Sequence, residues 1–397
     1  MVTYHGPIDR SYQYLLIAAL FLLPLTVLGN NIAIWLITII WLCSGNYIEK
    51  FQKIKNNKLA LASIAFFLIH LLGLLWTENL YWGLEIVRKM LPFLLVLPIF
   101  LTITKKENSG YYIGAFLIAI SISESFSYLI WLGIIEPFKY ATLANPTPLM
   151  SHISYNPFLA FAFYLVIDKL FSNSKLNSYM RSIYTFFAIT MTVNMFITGG
   201  RAGQVMFFAA IILLALQHFR HSQIKALITS MTVIAIIFIT AYNTSTIFKD
   251  RFEDIHQHYI EYDEHPNTSI DQRITFVVNS FDLFKTSPFY GVGTGDFPNE
   301  YKKINDIKSP NVRATSQPHN MYMLILVQLG ILGLVSFLWI FYQQFKIALA
   351  SKDQQVQNIG VAIPLLFLII MWSDSYLLGH YTSNLFILFS SIIYTNK

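Results

Sequence analysis

The chain has 397 residues, of which 55% are hydrophobic and only 12% are charged, with a mean hydropathy of +0.52 and a net charge of +6. Roughly a quarter of the residues in soluble proteins are charged, so this composition excludes a soluble globular protein of such length. The basic residues are scattered between apolar blocks, so we expect membrane lipids and no nucleic acid as partners. The single cysteine, Cys43, lies in an apolar run, which excludes a disulfide framework and a thiolate metal site.

Twelve apolar runs predict about twelve transmembrane helices, because a helix needs about 20 mostly apolar residues to cross a bilayer. The first run is interpreted as a span rather than a cleaved signal, since no small-residue cleavage pattern follows it. Two short runs, 32–44 and 381–394, require their flanks to span. The other runs are 11–28, 59–76, 86–104, 111–133, 156–171, 180–198, 203–219, 225–242, 321–347 and 358–376.

The distribution of basic residues predicts the orientation. With the N-terminus in the cytoplasm, 15 of the 27 Lys and Arg residues fall in inner segments and four fall in short outer connections. The other eight lie in one long outer loop, where charge has little influence on topology. The sequence therefore predicts that both termini are cytoplasmic.

The chain divides into helices 1–9 over residues 1–245, an outer loop over 246–318 and three further helices over 319–397. The loop holds 11 of the 21 acidic residues and begins with a polar, helix-like stretch, Ile247 to Tyr262. A second helix, Ile270–Lys285, is predicted to be amphipathic and to lie on the membrane surface or on the helix bundle. Its apolar residues at helical spacing are Ile270, Ile274, Val277, Phe281 and Phe284.

Two arginines are candidates for binding an anion. Arg201 lies in the tight outer connection Thr198-Gly199-Gly200-Arg201-Ala202-Gly203, whose glycines let a ligand approach the backbone. The alternative for Arg201 is a helix-end anchor whose side chain reaches the membrane interface. Arg273 lies one turn into the amphipathic helix, and taken alone it fits a solvated surface arginine.

A histidine and an acid are the candidates for proton transfer. His319 follows Pro318 where the loop re-enters the membrane, and Asp374 lies near the outer end of a helix, where it should pair with a cation. Further candidates for substrate binding are Gln317 and Asn320 beside the histidine, together with Arg88 and Lys89, for which Glu85 is a potential partner.

Two other patterns carry less weight. His256, His258, Asp263, Glu264 and His265 fit no standard metal site, so a solvated loop face is the favoured interpretation and no metal is predicted. The glycines at 291, 293 and 295 predict a turn and not a dinucleotide site, because the required strand and helix do not flank them.

The candidate cations lie at the outer face with one histidine and one carboxylate. Guanidinium groups bind phosphate through two parallel hydrogen bonds and keep their charge, so they can neutralise a diphosphate leaving group without a metal. A sugar hydroxyl is a poor nucleophile and benefits from a base, a role that neutral imidazole fills near pH 7. The pattern thus indicates transfer of a group from a diphosphate to a hydroxyl.

Three motifs resemble those of the O-antigen ligase and polymerase superfamily. The first is residues 198–203 around Arg201, although Gly200 stands where many members have a hydroxyl residue. The second is Asp271-Gln272-Arg273 followed by residues 287–293. The third and most specific is Gln317-Pro318-His319-Asn320 followed by residues 328–334. The motifs cover residues 198–334, and the other spans match only in hydropathy and helix number.

The resemblance implies an all-α, polytopic, GT-C-like inner-membrane protein with a periplasmic active site. It implies a metal-independent, inverting glycosyltransferase without a cofactor, whose donor is an undecaprenyl-diphosphate-linked glycan. Arg201 and Arg273 would hold the diphosphate, His319 would activate the acceptor hydroxyl, and Asp374 loosely matches a further acid.

The acceptor is open at this point. An O-antigen ligase, which transfers the glycan to the lipid A-core oligosaccharide, is the first hypothesis. An O-antigen polymerase and a protein O-oligosaccharyltransferase are alternatives within the superfamily. A lipid-linked glycan flippase or another transporter is the alternative from a different class, although charges at one face and a single large loop argue against the inverted repeats of transporters.

Overall fold

The computed structural model describes residues 6–172, 176–250, 252–253 and 269–395. The described residues form α-helices with short 3-10 turns and no β-strand, which confirms the all-α class. The predicted helix-like stretch Ile247 to Tyr262 falls largely outside the described residues, as do the histidines at 256, 258 and 265. The helices that we label are α1 (Pro7–Leu22), α2 (Val27–Cys43), α3 (Tyr47–Asn56), α4 (Lys58–Leu72), α5 (Leu80–Leu94), α6 (Val96–Ile103), α7 (Ser109–Trp131), α8 (His152–Ser172), α9 (Ser178–Phe196), α10 (Arg201–His218), α11 (Gln223–Thr244), α12 (Ser269–Thr286), α13 (Phe297–Lys308), α14 (Met321–Ala350), α15 (Gln354–Ile370) and α16 (His380–Ile393).

Every predicted apolar run lies largely in a helix. Fewer than twelve of the described helices, however, are long and apolar enough to cross a membrane. Among the described helices, six stretches are long and apolar enough to cross a bilayer, and a seventh counts if α2 and α3, bent by 119°, form one broken span. The six are 58–76, 80–103, 106–131, 201–218, 223–244 and 321–350. α16 has 14 residues and extends only about 21 Å, short of the ~30 Å hydrocarbon core. Twelve spans therefore stay a prediction.

The chain packs into two compact units, each assembled from separate stretches of sequence. The first unit comprises the described parts of 1–36, 107–257 and 350–370. Within it α8 packs against α9 and α10, α1 packs against α7, and α10 also contacts α11 and α15. The predicted division at 245 and 318 follows membrane topology rather than packing, and it stays a prediction.

The second unit comprises the described parts of 37–106, 258–349 and 371–397. Within it α4 packs on α5, α16 packs on α6, and α12 packs on α13. Asp282 of α12 links these last two helices, because its carboxylate accepts from Lys285 at 2.8 Å and from Lys308 at 2.5 Å. Hydrogen bonds from these two lysines lower the pKa of Asp282 to about 2.

The apolar residues predicted for one face of α12 are not the ones that the helix buries most deeply. Ile274 and Phe281 are each 47% exposed, whereas Phe276, Asn279 and Leu283 are buried. Phe276 packs edge-on against Tyr301 of α13, and Asn279 donates to Ser309 Oγ at 3.2 Å. A helix pattern gives the spacing of the apolar residues but not which side meets a neighbour. Contact of the exposed face with the membrane surface stays a prediction.

A loop segment interrupts α14. At Gly330 the backbone leaves the helical conformation, with φ of +64°, and residues 288–293 lie alongside the break. The carbonyls of Val327 and Gln328 accept from the N–H groups of Val292 and Gly293 at 2.9 and 3.0 Å. The N–H groups of Ile331 and Leu332 donate to the carbonyls of Pro288 and Phe289. The loop therefore replaces two helical hydrogen bonds without leaving a donor or acceptor of these pairs unsatisfied, as irregular backbone within a membrane span requires.

Candidate active site

His319 and Asp374 form a pair in the second unit. His319 precedes α14, and Asp374 lies in the connection between α15 and α16. The imidazole Nδ1 is 3.2 Å from the Asp374 carboxylate, and the two side chains are 28% and 14% exposed. The same carboxylate oxygen accepts from the Ser375 backbone N–H at 2.7 Å, which fixes its orientation. The Asp374 side chain thus pairs with His319, whereas its predicted pairing with a cation stays a prediction.

The backbone holds the histidine in place. His319 has φ of +49°, a left-handed conformation that is uncommon for a residue with a side chain and is concentrated at functional sites. Immediately after it, the Met321 N–H donates to the Met371 carbonyl at 2.9 Å. Asn320 donates to the Trp372 carbonyl at 3.2 Å and caps α14 by accepting from the Met323 N–H. These bonds join the segment that carries His319 to the segment that carries Asp374.

The amphipathic loop helix, α12, also contacts this site. The ring of Phe276 stacks on the imidazole of His319, with 5.9 Å between centroids and 28° between planes. Arg273 lies one turn before Phe276 and is partly exposed. The Arg273 guanidinium interacts electrostatically with Tyr376, which lies two residues after Asp374. Arg273 is therefore close to the connection that carries the histidine's partner.

This arrangement suits a general base. When the Nδ1–H group donates a hydrogen bond to the Asp374 carboxylate, Nε2 keeps a free lone pair that can accept a proton from a hydroxyl. The carboxylate also stabilises the imidazolium that forms. The stacked Phe276 restricts rotation of the ring, so the base is held before a substrate arrives.

Arg88 and Lys89 lie on α5 in the same unit, and both interact with Glu85, as expected from their spacing. The Arg88 guanidinium donates to both carboxylate oxygens, at 2.8 and 2.6 Å, and remains 66% exposed. Lys89 Nζ is 3.8 Å from Glu85 and 6.0 Å from the Trp82 ring centroid. Glu85 therefore offsets part of their positive charge, and their role in binding substrate stays a prediction.

The predicted substrate contacts of Gln317 and Asn320 also stay predictions. Asn320 is 2% exposed and uses its side chain to cap α14 and to hold Trp372. Gln317 is partly exposed, and its backbone pairs with Thr315. Within the described ranges, no group of three or more His, Cys, Asp or Glu side chains could hold a metal ion.

Arg201 belongs to the first unit, where it is the first residue of α10. The residues 198–201 before and at the helix start, which we call the arginine turn, are bound by neighbouring side chains. The Gly199 N–H donates to Asn145 Oδ1 at 2.8 Å, and Thr198 Oγ1 donates to Asn156 Oδ1 at 2.9 Å. The arginine turn is thus ordered although two of its four residues are glycine.

Sequence reasoning missed three residues near the candidate side chains. Phe276 follows Arg273 by three residues, a spacing that places the two on one helix face, so this signal was present. Asn156 is a fully buried amide at the start of the predicted run 156–171, so this signal was also present. Asn145 lies in the connection between α7 and α8, and only the structure brings it to the arginine turn.

Residues 186–338 match a family model described as O-antigen ligase. The match includes Arg201, Arg273 and His319, and it confirms the resemblance to the O-antigen ligase and polymerase superfamily. No curated protein matches the chain. Members of this family are glycosyltransferase-like enzymes whose substrates are in general lipid-linked glycans and the lipid A core.

Proposed function

We propose that this chain, which matches a family model described as O-antigen ligase over residues 186–338, is an O-antigen ligase. It transfers a glycan from undecaprenyl diphosphate to the lipid A-core oligosaccharide at the periplasmic face of the bacterial inner membrane. The observation that carries the proposal is the His319–Asp374 pair, at 3.2 Å, whose histidine belongs to the matched domain. A base held in this way is what a hydroxyl acceptor requires.

In the proposed reaction, the His319–Asp374 pair supplies the base. Nε2 of His319 takes the proton of an acceptor hydroxyl while the oxygen attacks the anomeric carbon of the donor sugar. The bond between that carbon and the diphosphate oxygen breaks, so undecaprenyl diphosphate leaves with the bonding electrons. Attack opposite the leaving group inverts the anomeric configuration. Asp374 stabilises the protonated imidazole during the step.

Arginine supplies the positive charge that the departing diphosphate requires. Arg273 lies near the Asp374 connection, and we propose that it binds the diphosphate and offsets the charge that develops on it. We propose the same chemistry for Arg201, on the strength of its motif. No metal enters this mechanism, so transfer by the purified protein should persist in excess EDTA. Activity that disappears on chelation and returns with magnesium or manganese would contradict the arginine mechanism.

The acceptor is tested by genetics. A strain lacking this protein should show lipid A-core without any attached O-antigen, because the ligase performs the only attachment step in the proposal. A single repeat unit on the core would instead identify a polymerase, and an unchanged lipopolysaccharide with unglycosylated protein would identify a protein O-oligosaccharyltransferase. Purified protein that moves a lipid-linked glycan across vesicles without cleaving its diphosphate would identify a transporter.

A further inference from the structure

The arginine turn depends on residues outside itself for its conformation. It contains Gly199 and Gly200 in succession, and glycine has more backbone freedom to lose than any other residue. Side chains from elsewhere in the first unit bind its backbone. Gln204 donates to the Thr198 carbonyl at 3.2 Å, and Asn156 donates to the Gly200 carbonyl at 3.4 Å.

Asn156 also makes the closest steric contact with the turn. Its side chain is fully buried between α8 and the start of α10. A β-carbon at Gly200 would lie 2.4 Å from Asn156 Cγ, and one at Gly203 would lie 2.2 Å from Asn156 Cβ. Both glycines therefore allow α8 and α10 to approach until the amide reaches the turn.

Asn145 binds the turn from a different segment. It lies in the connection between α7 and α8, where its own N–H donates to Thr142 Oγ1 at 3.0 Å. Its carbonyl oxygen accepts the Gly199 N–H at 2.8 Å. Asn145 and Asn156 thus hold three successive residues, 198, 199 and 200, directly before Arg201.

We propose that Asn145 and Asn156 are positioning residues for Arg201, which fix the backbone from which this side chain extends and thereby set the affinity for the lipid diphosphate. The inference rests on the proposed function, because it takes Arg201 as a phosphate ligand. A small displacement of a bidentate donor loses one of its two hydrogen bonds, so the geometry of the turn controls how well Arg201 binds.

Binding of undecaprenyl diphosphate to the full-length protein in nanodiscs tests the inference. Asn145→Ala and Asn156→Ala should each raise the dissociation constant by about tenfold or more. In an Arg201→Ala background the same changes should have no further effect, because both asparagines act through the arginine. The thermal midpoint measured on the same samples separates loss of binding from loss of fold. Asn243→Ala, an exposed asparagine on α11, is the matched control.

A second pair of variants, at Thr198, tests the inference independently in case an asparagine variant fails to fold. Thr198→Val removes the hydroxyl that donates to Asn156, and it should weaken binding as Asn156→Ala does. Thr198→Ser keeps the hydroxyl and should restore the affinity. Two results would overturn the positioning role while leaving the proposed function intact. One is an equal loss of affinity for undecaprenyl diphosphate with Arg201 present and in the Arg201→Ala background. The other is wild-type affinity of both asparagine variants. Wild-type affinity of Arg201→Ala itself would overturn the phosphate role of Arg201 and the inference with it.

Discussion

His319 occupies a backbone conformation that residues with side chains seldom adopt, and hydrogen bonds on its C-terminal side maintain it. Such a conformation costs on the order of 1–3 kcal/mol, so the surrounding structure must supply that stabilisation. The bonds from Asn320 and Met321 to residues 371–372 do so, and they also bring Asp374 within 3.2 Å of the imidazole. The same hydrogen bonds therefore support both the positive φ of His319 and its pairing with Asp374.

The His319–Asp374 pair predicts a separation between binding and turnover. His319→Ala removes the base and should slow single-turnover transfer by about 10²–10⁴ while the donor still binds normally. Asp374→Asn should also slow transfer strongly, since an amide here can donate to Nδ1 and leave the proton on Nε2, the atom that must act as the base. Transfer and donor binding should be measured on the same samples, with the exposed His221→Ala as control. Wild-type transfer by a folded His319→Ala protein would refute the assignment.

Arg273 is expected to act through the shape of its side chain as well as its charge. Arg273→Lys keeps the charge but loses the planar fork that binds two phosphate oxygens, so the transfer rate should fall by about 10²–10³. Unlike the histidine variant, it should also weaken donor binding. Arg313→Lys, an exposed residue of the same loop, should change neither quantity. A rate within about twofold of wild type would show that a point charge suffices.

The sequence indicated the candidate residues of the site but not how they are arranged in space. Pro318-His319-Asn320 and the arginine motifs supplied the candidate base and the candidate guanidinium groups, which are the residue types that the proposed reaction requires. The partner of His319 lies 55 residues away, so only packing could bring Asp374 to Nδ1. The stacking of Phe276 was equally hidden, since helical spacing relates it to Arg273 but not to a histidine in another segment.

Among the elements, the break in α14 illustrates what periodicity does not reveal. Residues 321–347 form one uninterrupted apolar run, which predicts a continuous helix through Gly330, yet the backbone leaves the helical conformation there. The glycine and its partner Gly291, with φ of +73°, permit the backbones to meet. A β-carbon at Gly330 would lie 2.3 Å from the Phe289 carbonyl carbon.

Gly330→Ala should therefore destabilise the protein. The side chain meets a backbone conformation, with φ of +64° and ψ of −161°, that is essentially restricted to glycine and costs about 1–3 kcal/mol. It also meets a backbone clash that the loop must move to relieve. The thermal midpoint in detergent should fall clearly. Gly110→Ala on α7, where a β-carbon would meet nothing within 4 Å, should leave the midpoint unchanged or raise it slightly. Equal midpoints for the two variants would contradict the role of the break.

The positions of most helices were accessible from the sequence, because an apolar run that enters a bilayer must satisfy its backbone hydrogen bonds within a helix. The division at Leu95 was less accessible, since the run 86–104 joins the C-terminal part of α5 to the whole of α6. Membrane crossing is a separate property from helix formation. The 16 residues of α1 and the 14 of α16 form helices without the length that a perpendicular span needs.

For the whole molecule, orientation is the property on which the mechanism depends. A cysteine at Asn299, an exposed residue of α13, should react with a membrane-impermeant thiol reagent in intact spheroplasts, because the basic residues predict a periplasmic loop. The native Cys43 is exposed and should first be replaced by serine. Labelling that requires lysis of the cells would reverse the orientation and overturn the proposed reaction.

The segment that interrupts α14 also constrains how the protein is made. Residues 288–293 leave the ribosome before α14, so during synthesis they have no partner for the groups that will later bind Val327 to Leu332. When α14 enters the bilayer alone, an unbroken helix satisfies its backbone best. Two of its hydrogen bonds must then be exchanged for bonds to residues 288–293. The final conformation of α14 thus requires residues 288–293 to dock on it, and we expect this docking to be a late event in biogenesis.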